Sequence, residues 1–331
     1  MIIALDAMGG DFAPSSTVEG AVLVSKSSKH KILLVGQEKI LYKELSKYDL
    51  SDLNIDIINA NEVITMGEHP AQAVRKKTDS SLAVCAKLVR DGKANAFVSM
   101  GNSGAIMAVA IFYLKRIPGI LRPSISTIFP TVNGNCVMAD IGANVDCKPE
   151  YLFQFAIMSN VFCKKVMKIK YPKIALISIG EEPTKGNNLS IKAFKLLNKS
   201  GINFIGNIEG KDVINGKADV VICDGFVGNV LLKFSEGIAE TFIKLIKEKI
   251  IKQPLFWLAI PFLWFAIRTI KKKIDYSEFG GAPLLGVNEV CIIGHGRSNG
   301  KAIKNAIFTG INMVQQNMII DIKKAIDKYK I

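Results

Sequence analysis

The chain has 331 residues, 49% hydrophobic and 22% charged. That composition excludes intrinsic disorder, and the modest Gly and Pro counts, 27 and 11, exclude collagen and low-complexity classes. The formal net charge of +14 points either to an acidic or anionic partner or to Lys-rich solvated faces.

Short apolar runs alternate with amphipathic stretches from end to end. Strands are predicted at 1–7, 32–35, 55–58, 96–99, 125–129, 137–140, 174–179, 204–205, 220–223 and 290–293. Continuous Val, Ile and Leu runs without alternation suit strands buried on both faces of a parallel sheet. Pro14-Ser15-Ser16 followed by Glu19 reads as a capped helix start. The uncharged stretch 94–114 has the polar, Gly-rich middle SMGNSGA. A strand, a tight loop and a helix account for it better than a membrane span. The final helix is predicted from one stripe: Ile303, Ile307, Ile311, Val314, Met318 and Ile322. The fold class is therefore α/β, a doubly wound sheet covered by helices. A single domain over 1–331, with two lobes as a variant, is the simplest division.

Cys85, Cys136, Cys147, Cys163, Cys223 and Cys291 form no C-x-x-C pair, and several lie inside apolar runs. They read as buried thiols of a reducing cytosol rather than disulfides or zinc ligands. No metal site and no cofactor are expected. The start, MIIALDAMGG, has no basic region of the kind that opens a signal peptide.

Ligands of open α/β sheets bind beyond the carboxyl ends of the strands. Here the loops after the strands repeatedly join Gly to Asn, Asp or Ser: Gly9-Gly10-Asp11, Gly101-Asn102-Ser103-Gly104, Gly142-Ala143-Asn144, Lys185-Gly186-Asn187, Asp224-Gly225 and Gly228-Asn229. One such loop is an ordinary turn. Six at strand ends suggest backbone N–H groups gathered around a phosphate. G-x-G-x-x-G, the Walker loop and G-x-S-x-G are all absent, so a small phosphate fits better than a dinucleotide. Lys185 is a candidate cation, and His295 lies between two glycines after a strand. Arg75, Lys76 and Lys77 are either a solvated helix face or an anion clamp.

Residues 253–267, QPLFWLAIPFLWFAI, are too short and too broken by proline to span a bilayer. Between 244 and 273 stand eight Lys or Arg and one Glu, and both tryptophans lie inside the apolar run. Aromatics with flanking cations mark a segment in a membrane interface. A dimer contact or a buried hairpin is the alternative. A protruding apolar helical insertion near 250–274 is expected, with Leu255, Trp257, Phe262 and Trp264 as membrane contacts.

These blocks, in this order, resemble the bacterial phosphate acyltransferase family, the PlsX proteins of phospholipid synthesis. The resemblance is carried by Ala4-Leu5-Asp6-Ala7-Met8-Gly9-Gly10-Asp11, Gly67-Glu68-His69-Pro70, Asp79-Ser80-Ser81-Leu82, Gly101-Asn102-Ser103-Gly104-Ala105 and Asp140-Ile141-Gly142-Ala143-Asn144. It continues through Pro149-Glu150-Tyr151-Leu152, Gly180-Glu181-Glu182 with Lys185-Gly186-Asn187, and Cys223-Asp224-Gly225-Phe226-Val227-Gly228-Asn229-Val230. Phe279-Gly280-Gly281-Ala282-Pro283-Leu284-Leu285-Gly286 and Gly294-His295-Gly296 complete it. Ser103 stands where Thr is more usual, Glu289 where Gly is usual, and Arg297 precedes Ser298; none of these removes a reactive group.

The resemblance implies a Rossmann-like three-layer α/β/α fold, a homodimer, and transfer of a long-chain fatty acyl group from acyl carrier protein to inorganic phosphate. Lys185 and Asn229 match the family's catalytic pair, with His295 beside them. Asp6, Gly9, Gly10, Gly101, Asn102, Ser103, Gly104, Asn144, Gly186, Asn187, Asp224 and Gly228 are the expected substrate contacts. Arg75, Lys76 and Lys77 are the first choice for carrier-protein docking. The expected location is the cytoplasm, in peripheral contact with an anionic membrane, with a downstream membrane acyltransferase as a further partner and no nucleic acid. The rivals are a non-catalytic membrane scaffold and a dehydrogenase of related architecture, which should show a dinucleotide or metal-carboxylate motif.

Overall fold

A computed structural model describes residues 1–252 and 280–329. Eleven strands form one sheet in the order β3-β2-β1-β4-β11-β10-β5-β6-β9-β7-β8. They are β1 (Ile2–Asp6), β2 (Lys31–Gly36), β3 (Ile55–Asn59), β4 (Ala96–Ser99), β5 (Ser124–Thr131), β6 (Gly134–Ala139), β7 (Ile174–Ile177), β8 (Phe204–Ile208), β9 (Val220–Ile222), β10 (Ala282–Leu285) and β11 (Val290–Ile293). Two parallel wings, β3-β2-β1-β4-β11 and β6-β9-β7-β8, flank β10 and β5, which run antiparallel to their neighbours.

The unbroken apolar runs have the cause the sequence suggests, since both faces of the sheet are covered. On β1, Ile3 and Leu5 enter one core and Ala4 the other; on β4, Ala96 and Val98 oppose Phe97. One face carries α1 (Ser15–Ser27), α6 (Pro149–Phe162), α7 (Asn188–Lys199), α10 (Gly300–Gln315) and α11 (Met318–Lys328). The opposite face carries α3 (Pro70–Lys76), α4 (Ser81–Arg90) and α5 (Ser103–Val109) over the first wing. Over the second wing it carries α8 (Gly210–Ile214) and the start of the long α9 (Gly225–Lys252). Helix α2 (Glu38–Leu45) joins the first of these faces through Leu41 and Leu45.

All ten predicted strands are present. β10 is the addition, hidden in a glycine- and proline-rich block. Its Pro283 pairs with Ile292, and proline inside a sheet argues against a strand when only the sequence is read. Two helix readings need correction. The stripe from Ile303 to Ile322 is two helices, α10 and α11, broken where Asn317 takes φ +54°, a left-handed turn that asparagine tolerates. Met313, Met318 and Ile322 still enter one core, so the apolar period survives the break. The start of α1 has no side-chain cap; Pro14 occupies that position, and Thr17 Oγ1 donates to the carbonyls of Ala7 and Pro14 at 2.7 and 2.9 Å.

All six thiols are free, and five of them are buried. Burial pushes Cys136, Cys147 and Cys163 up to about 12. Among the described residues no group of His, Cys, Asp and Glu is arranged to hold a metal ion, and no helix is long and apolar enough to cross a membrane. The segment 253–279, with Leu255, Trp257, Phe262 and Trp264, lies outside the described residues.

Candidate active site

Each wing reverses its winding once, and the Gly-rich loops collect at those two points. In the first wing the chain runs outward from β1 to β3, then returns to place β4 on the other side of β1. The crevice beyond such a pair of strand ends is where α/β sheets bind ligands. Asp6 closes β1 and Ser99 closes β4. Ser99 Oγ donates to Asp6 Oδ2 at 2.6 Å, and the Met8 N–H donates to Oδ1 at 3.2 Å. Burial pushes the Asp6 carboxyl up, against the hydrogen bonds that favour its anion. Gly9 is packed over this pair: a Cβ there would stand 2.6 Å from Asp6 Oδ2 and 2.9 Å from the Gly101 nitrogen. Asn102 caps α5 by accepting from the Ala105 N–H at 3.1 Å, and its amide donates to the Met66 carbonyl at 2.8 Å. Gly104 lies against Pro70 at the head of α3. Ser103 is exposed.

Arg75 and Lys76 are exposed on that same α3. The Lys77 ammonium is turned inward to the Val63 carbonyl (2.7 Å) and the Glu68 carboxylate (2.8 Å). That ion pair, with the Thr65 N–H, lowers Glu68 to about 2.

The second wing reverses between β9 and β7. After β7 the chain enters α7 on one face; after β9 it enters α9 on the other. Asp140, just beyond β6, organises this rim. Its carboxylate accepts from the backbone N–H groups of Ile125 (3.0 Å), Ala143 (3.2 Å) and Asn144 (2.7 Å) and from Asn144 Nδ2 (2.9 Å). Desolvation raises its pKa despite them. Asn144 is buried and also donates to the Pro123 carbonyl at 2.7 Å, so it shapes the loop from within. Asp224 caps α9 through the Val227 N–H at 2.8 Å. Gly228 touches the loop so closely that a Cβ would fall 1.9 Å from the Asp140 carbonyl oxygen. This contact fixes Asn229, which is exposed. Its side chain lies within 3.8 Å of where a Cβ on Gly142 would be, and Gly142 has φ +134°.

Lys185 stands on the neighbouring loop, after β7. Ser178 Oγ donates to its carbonyl at 3.0 Å, its own N–H donates to the Glu182 carbonyl at 3.0 Å, and Asn207 Nδ2 holds that carbonyl at 2.9 Å. Gly186 has φ +110°, and Asn187 caps α7 through the Ser190 N–H at 2.9 Å. The Lys185 side chain is exposed. Lys185 and Asn229 thus leave the carboxyl ends of adjacent parallel strands, β7 and β9.

One residue the sequence reading passed over joins the two rims. Lys233 lies one helical turn after Asn229 on α9, so the two share a face. Its ammonium is 2.9 Å from Glu236 Oε2 and 3.1 Å from His295 Nε2. The His295 loop is stitched in turn to the first rim, where the Asp11 N–H donates to the Gly296 carbonyl at 2.8 Å. The spacing of Asn229 and Lys233 was the available signal, but it acquires meaning only once both belong to one helix. Burial first, then the charges of Lys233 and Arg297, lower the His295 pKa.

Comparison with known proteins decides the family. The family described as "Fatty acid synthesis protein" matches residues 1–321. The chain belongs to this family. The phosphate acyltransferase of Endomicrobium trichonymphae is 64% identical over 333 aligned positions, covering 99% of this chain and 98% of that one. That of Pelotomaculum thermopropionicum is 48% identical, covering 100% and 96%. Among solved structures, the EutD phosphotransacetylase of Staphylococcus aureus superposes with TM-score 0.62 at 16% identity, covering 95% of this chain and 94% of that chain. A phosphotransacetylase of Streptococcus pyogenes gives 0.60 at 18%, covering 99% and 94%. At such identities the family's likeness to these structures is one of fold, and it bears out the Rossmann-like layered α/β sheet.

Proposed function

We propose that this chain transfers a long-chain fatty acyl group from acyl carrier protein to inorganic phosphate, giving acyl phosphate and the free carrier thiol. Membership of a family whose members are named phosphate acyltransferases sets the reaction class, acyl transfer to phosphate. The observation that carries the assignment of residues is the placing of Lys185 and Asn229 at the exits of adjacent parallel strands, both exposed, at a winding reversal.

Phosphate is already an oxyanion at neutral pH, so no protein nucleophile is needed. A phosphate oxygen attacks the thioester carbonyl carbon, and the carbonyl oxygen gains the negative charge. The C–S bond then breaks and the thiolate departs with the carrier. The chain's task is to hold phosphate in line and to stabilise the developing oxyanion. Lys185 supplies a positive charge and Asn229 an amide N–H. His295 and the Gly9-Gly10 and Gly101–Gly104 loops belong to the first rim, which the Lys233–His295 contact joins to the second. Asp6, Asn144, Asn187 and Asp224 act through loop shape, because the bonds described above occupy their side chains. An assay with acylated carrier protein and labelled phosphate tests this reading: labelled acyl phosphate is the expected product, and hydride transfer or no turnover at all would favour the dehydrogenase or scaffold.

The carrier, a second subunit and a membrane would meet the outer surface. Arg75 and Lys76 offer exposed cations beside the first rim, suited to an acidic carrier. On α9, Phe226, Val230, Phe234, Ile238, Phe242 and Leu245 are exposed, an apolar series that supports contact with a lipid surface, with a homodimer partner, or with both. Peripheral attachment in the cytoplasm would deliver the acyl phosphate to the bilayer and to a downstream membrane acyltransferase. Sedimentation with anionic liposomes, comparing the native chain with a Trp257→Glu, Trp264→Glu double variant, separates membrane from subunit contact. Loss of binding in the variant is expected, and equal binding would assign 253–267 to packing.

A further inference from the structure

An exposed lysine is aimed through its backbone and the foot of its stem. For Lys185 both are fixed by residues outside it. Its N–H donates to the Glu182 carbonyl at 3.0 Å, closing the turn 182–185. Asn207 Nδ2, on β8, donates to the same oxygen at 2.9 Å, so both lone pairs of that carbonyl are in use. Ser178 Oγ, just past β7, donates to the Lys185 carbonyl at 3.0 Å. The stem lies over Gly180, where a Cβ would stand 3.1 Å from Lys185 Cγ. Side chains from the ends of two neighbouring strands thus grip the lysine, one on each side of its backbone.

Asn207 does little for the fold itself. It is 4% exposed, and its Oδ1 is buried with no hydrogen-bond partner among the described residues. Its register partner on β7 is Leu176, part of the core that α7 covers. An apolar side chain in that place would leave no buried acceptor unmet, whereas a half-satisfied amide does. The half that is satisfied serves the turn from Glu182 to Lys185, which is exposed. We propose that Asn207 is a positioning residue for Lys185, acting through the Glu182 carbonyl, with Ser178 as its counterpart on the lysine's other side. This rests on the reading that Lys185 stabilises the developing oxyanion. The amide fixes the point from which the ammonium reaches, and a misplacement of about 1 Å can lower a rate about 100-fold.

Two measurements on the full chain test this, and one of them needs no turnover. Amide hydrogen exchange, resolved to Lys185 by NMR, reads whether the turn stays closed. In Asn207→Leu the Lys185 N–H should exchange at least ~tenfold faster, with an unchanged or raised melting temperature. In the assay with acylated carrier protein and phosphate, the same variant should lower kcat about tenfold and leave the KM for acylated carrier protein unchanged, a split that general loosening of the fold would not give. In a Lys185→Ala background Asn207→Leu should have no further effect on kcat, because its route to the chemistry is gone. Ser178→Ala, which removes a single oxygen, should repeat the faster exchange and the lower kcat in smaller degree. Lys185 exchange that ignores both substitutions, a further fall in kcat in the double variant, or a melting temperature lowered by Asn207→Leu would overturn the proposal. Normal turnover in Lys185→Ala alone would strike the catalytic reading of the lysine instead, and the exchange rate would still decide for Asn207.

Discussion

The two rims are built on one plan and differ in what they leave exposed. Each has a buried carboxylate at a strand end, Asp6 in the first and Asp140 in the second. Each carboxylate collects donors from its neighbours, and burial pushes each one up. In the first rim the polar side chains are largely consumed in this internal work: Asp6 holds Ser99, and Asn102 holds the head of α5. In the second, Asp140 and Asn144 do that work, and Lys185 and Asn229 are left facing solvent. A buried carboxylate with a raised pKa is often read as a general acid or base. Here both are loop organisers, and the proposed function leaves the chemistry to exposed groups: Asn229, placed against the Asp140 loop through Gly228, and Lys185, whose loop Ser178 and Asn207 hold.

The sharpest way to break this comparison is to separate chemistry from scaffolding within the second rim. Lys185→Ala and Asn229→Ala should each lower acyl phosphate formation at least ~100-fold, as loss of one oxyanion donor does, with little change in melting temperature. Asp140→Ala should do the reverse in kind. It would strand the N–H groups of Ile125, Ala143 and Asn144 in a buried loop, a loss on the order of 3 kcal/mol of stability, and activity would fall through the fold. Thermal melts run beside steady-state rates distinguish the two patterns. Near-normal turnover in both Lys185→Ala and Asn229→Ala would remove them from the chemistry.

The outer face of the first rim supplies a middle-sized effect. If Arg75 and Lys76 greet an acidic carrier, the KM for acylated carrier protein should rise several-fold between low salt and about 0.3 M salt, because attraction between exposed charges is screened within about 10 Å at 0.1 M. An Arg75→Glu, Lys76→Glu double variant should raise the same KM and flatten the salt dependence. The KM for phosphate should change little. Lys77 makes the contrast within the run: its ammonium already serves Glu68 and Val63, so Lys77→Ala should cost stability of the 63–79 loop more than carrier affinity. A salt-independent KM would dismiss electrostatic docking.

Period and composition made the sheet legible because both faces of its inner parallel strands are buried, so those strands read as apolar runs, while the edge strands β3 and β8 are partly exposed and carry Asp56 and Asn207. β10 escaped because Gly280, Gly281 and Pro283 carry the signature of a loop, and the antiparallel seam they enter is set by tertiary pairing. The break at Asn317 escaped because an apolar stripe does not record a change of helix axis. In the site, the Gly-Asn loops were visible as a set, but their division of labour was not. Asn144 and Asn229 look alike in sequence; one donates inward to Asp140 and Pro123 and the other faces out. Lys233 was indistinguishable from other helix lysines until α9 brought it to His295.

The smallest expected effect is in that link between the rims. His295 has a lowered pKa, owing to burial first and to Lys233 next. At pH values above about 6.5 the ring is neutral in both folded and unfolded chains, so it adds nothing to the pH dependence of stability. As pH falls below that value the unfolded chain takes up the proton first. The unfolded state then binds more protons than the folded one, and stability declines with falling pH until the folded pKa is also passed. Lys233→Met removes the nearest positive charge and leaves the burial. It should therefore move the His295 pKa part of the way back towards 6.5, while His295→Gln should abolish this share of the acid-side slope. NMR titration of the histidine and melts at pH 5.5 and 7.5 read the two quantities separately. A His295 pKa that stays fixed in Lys233→Met would mean that Lys233 does not help to set it, and that the two rims touch at α9 without an electrostatic coupling between them.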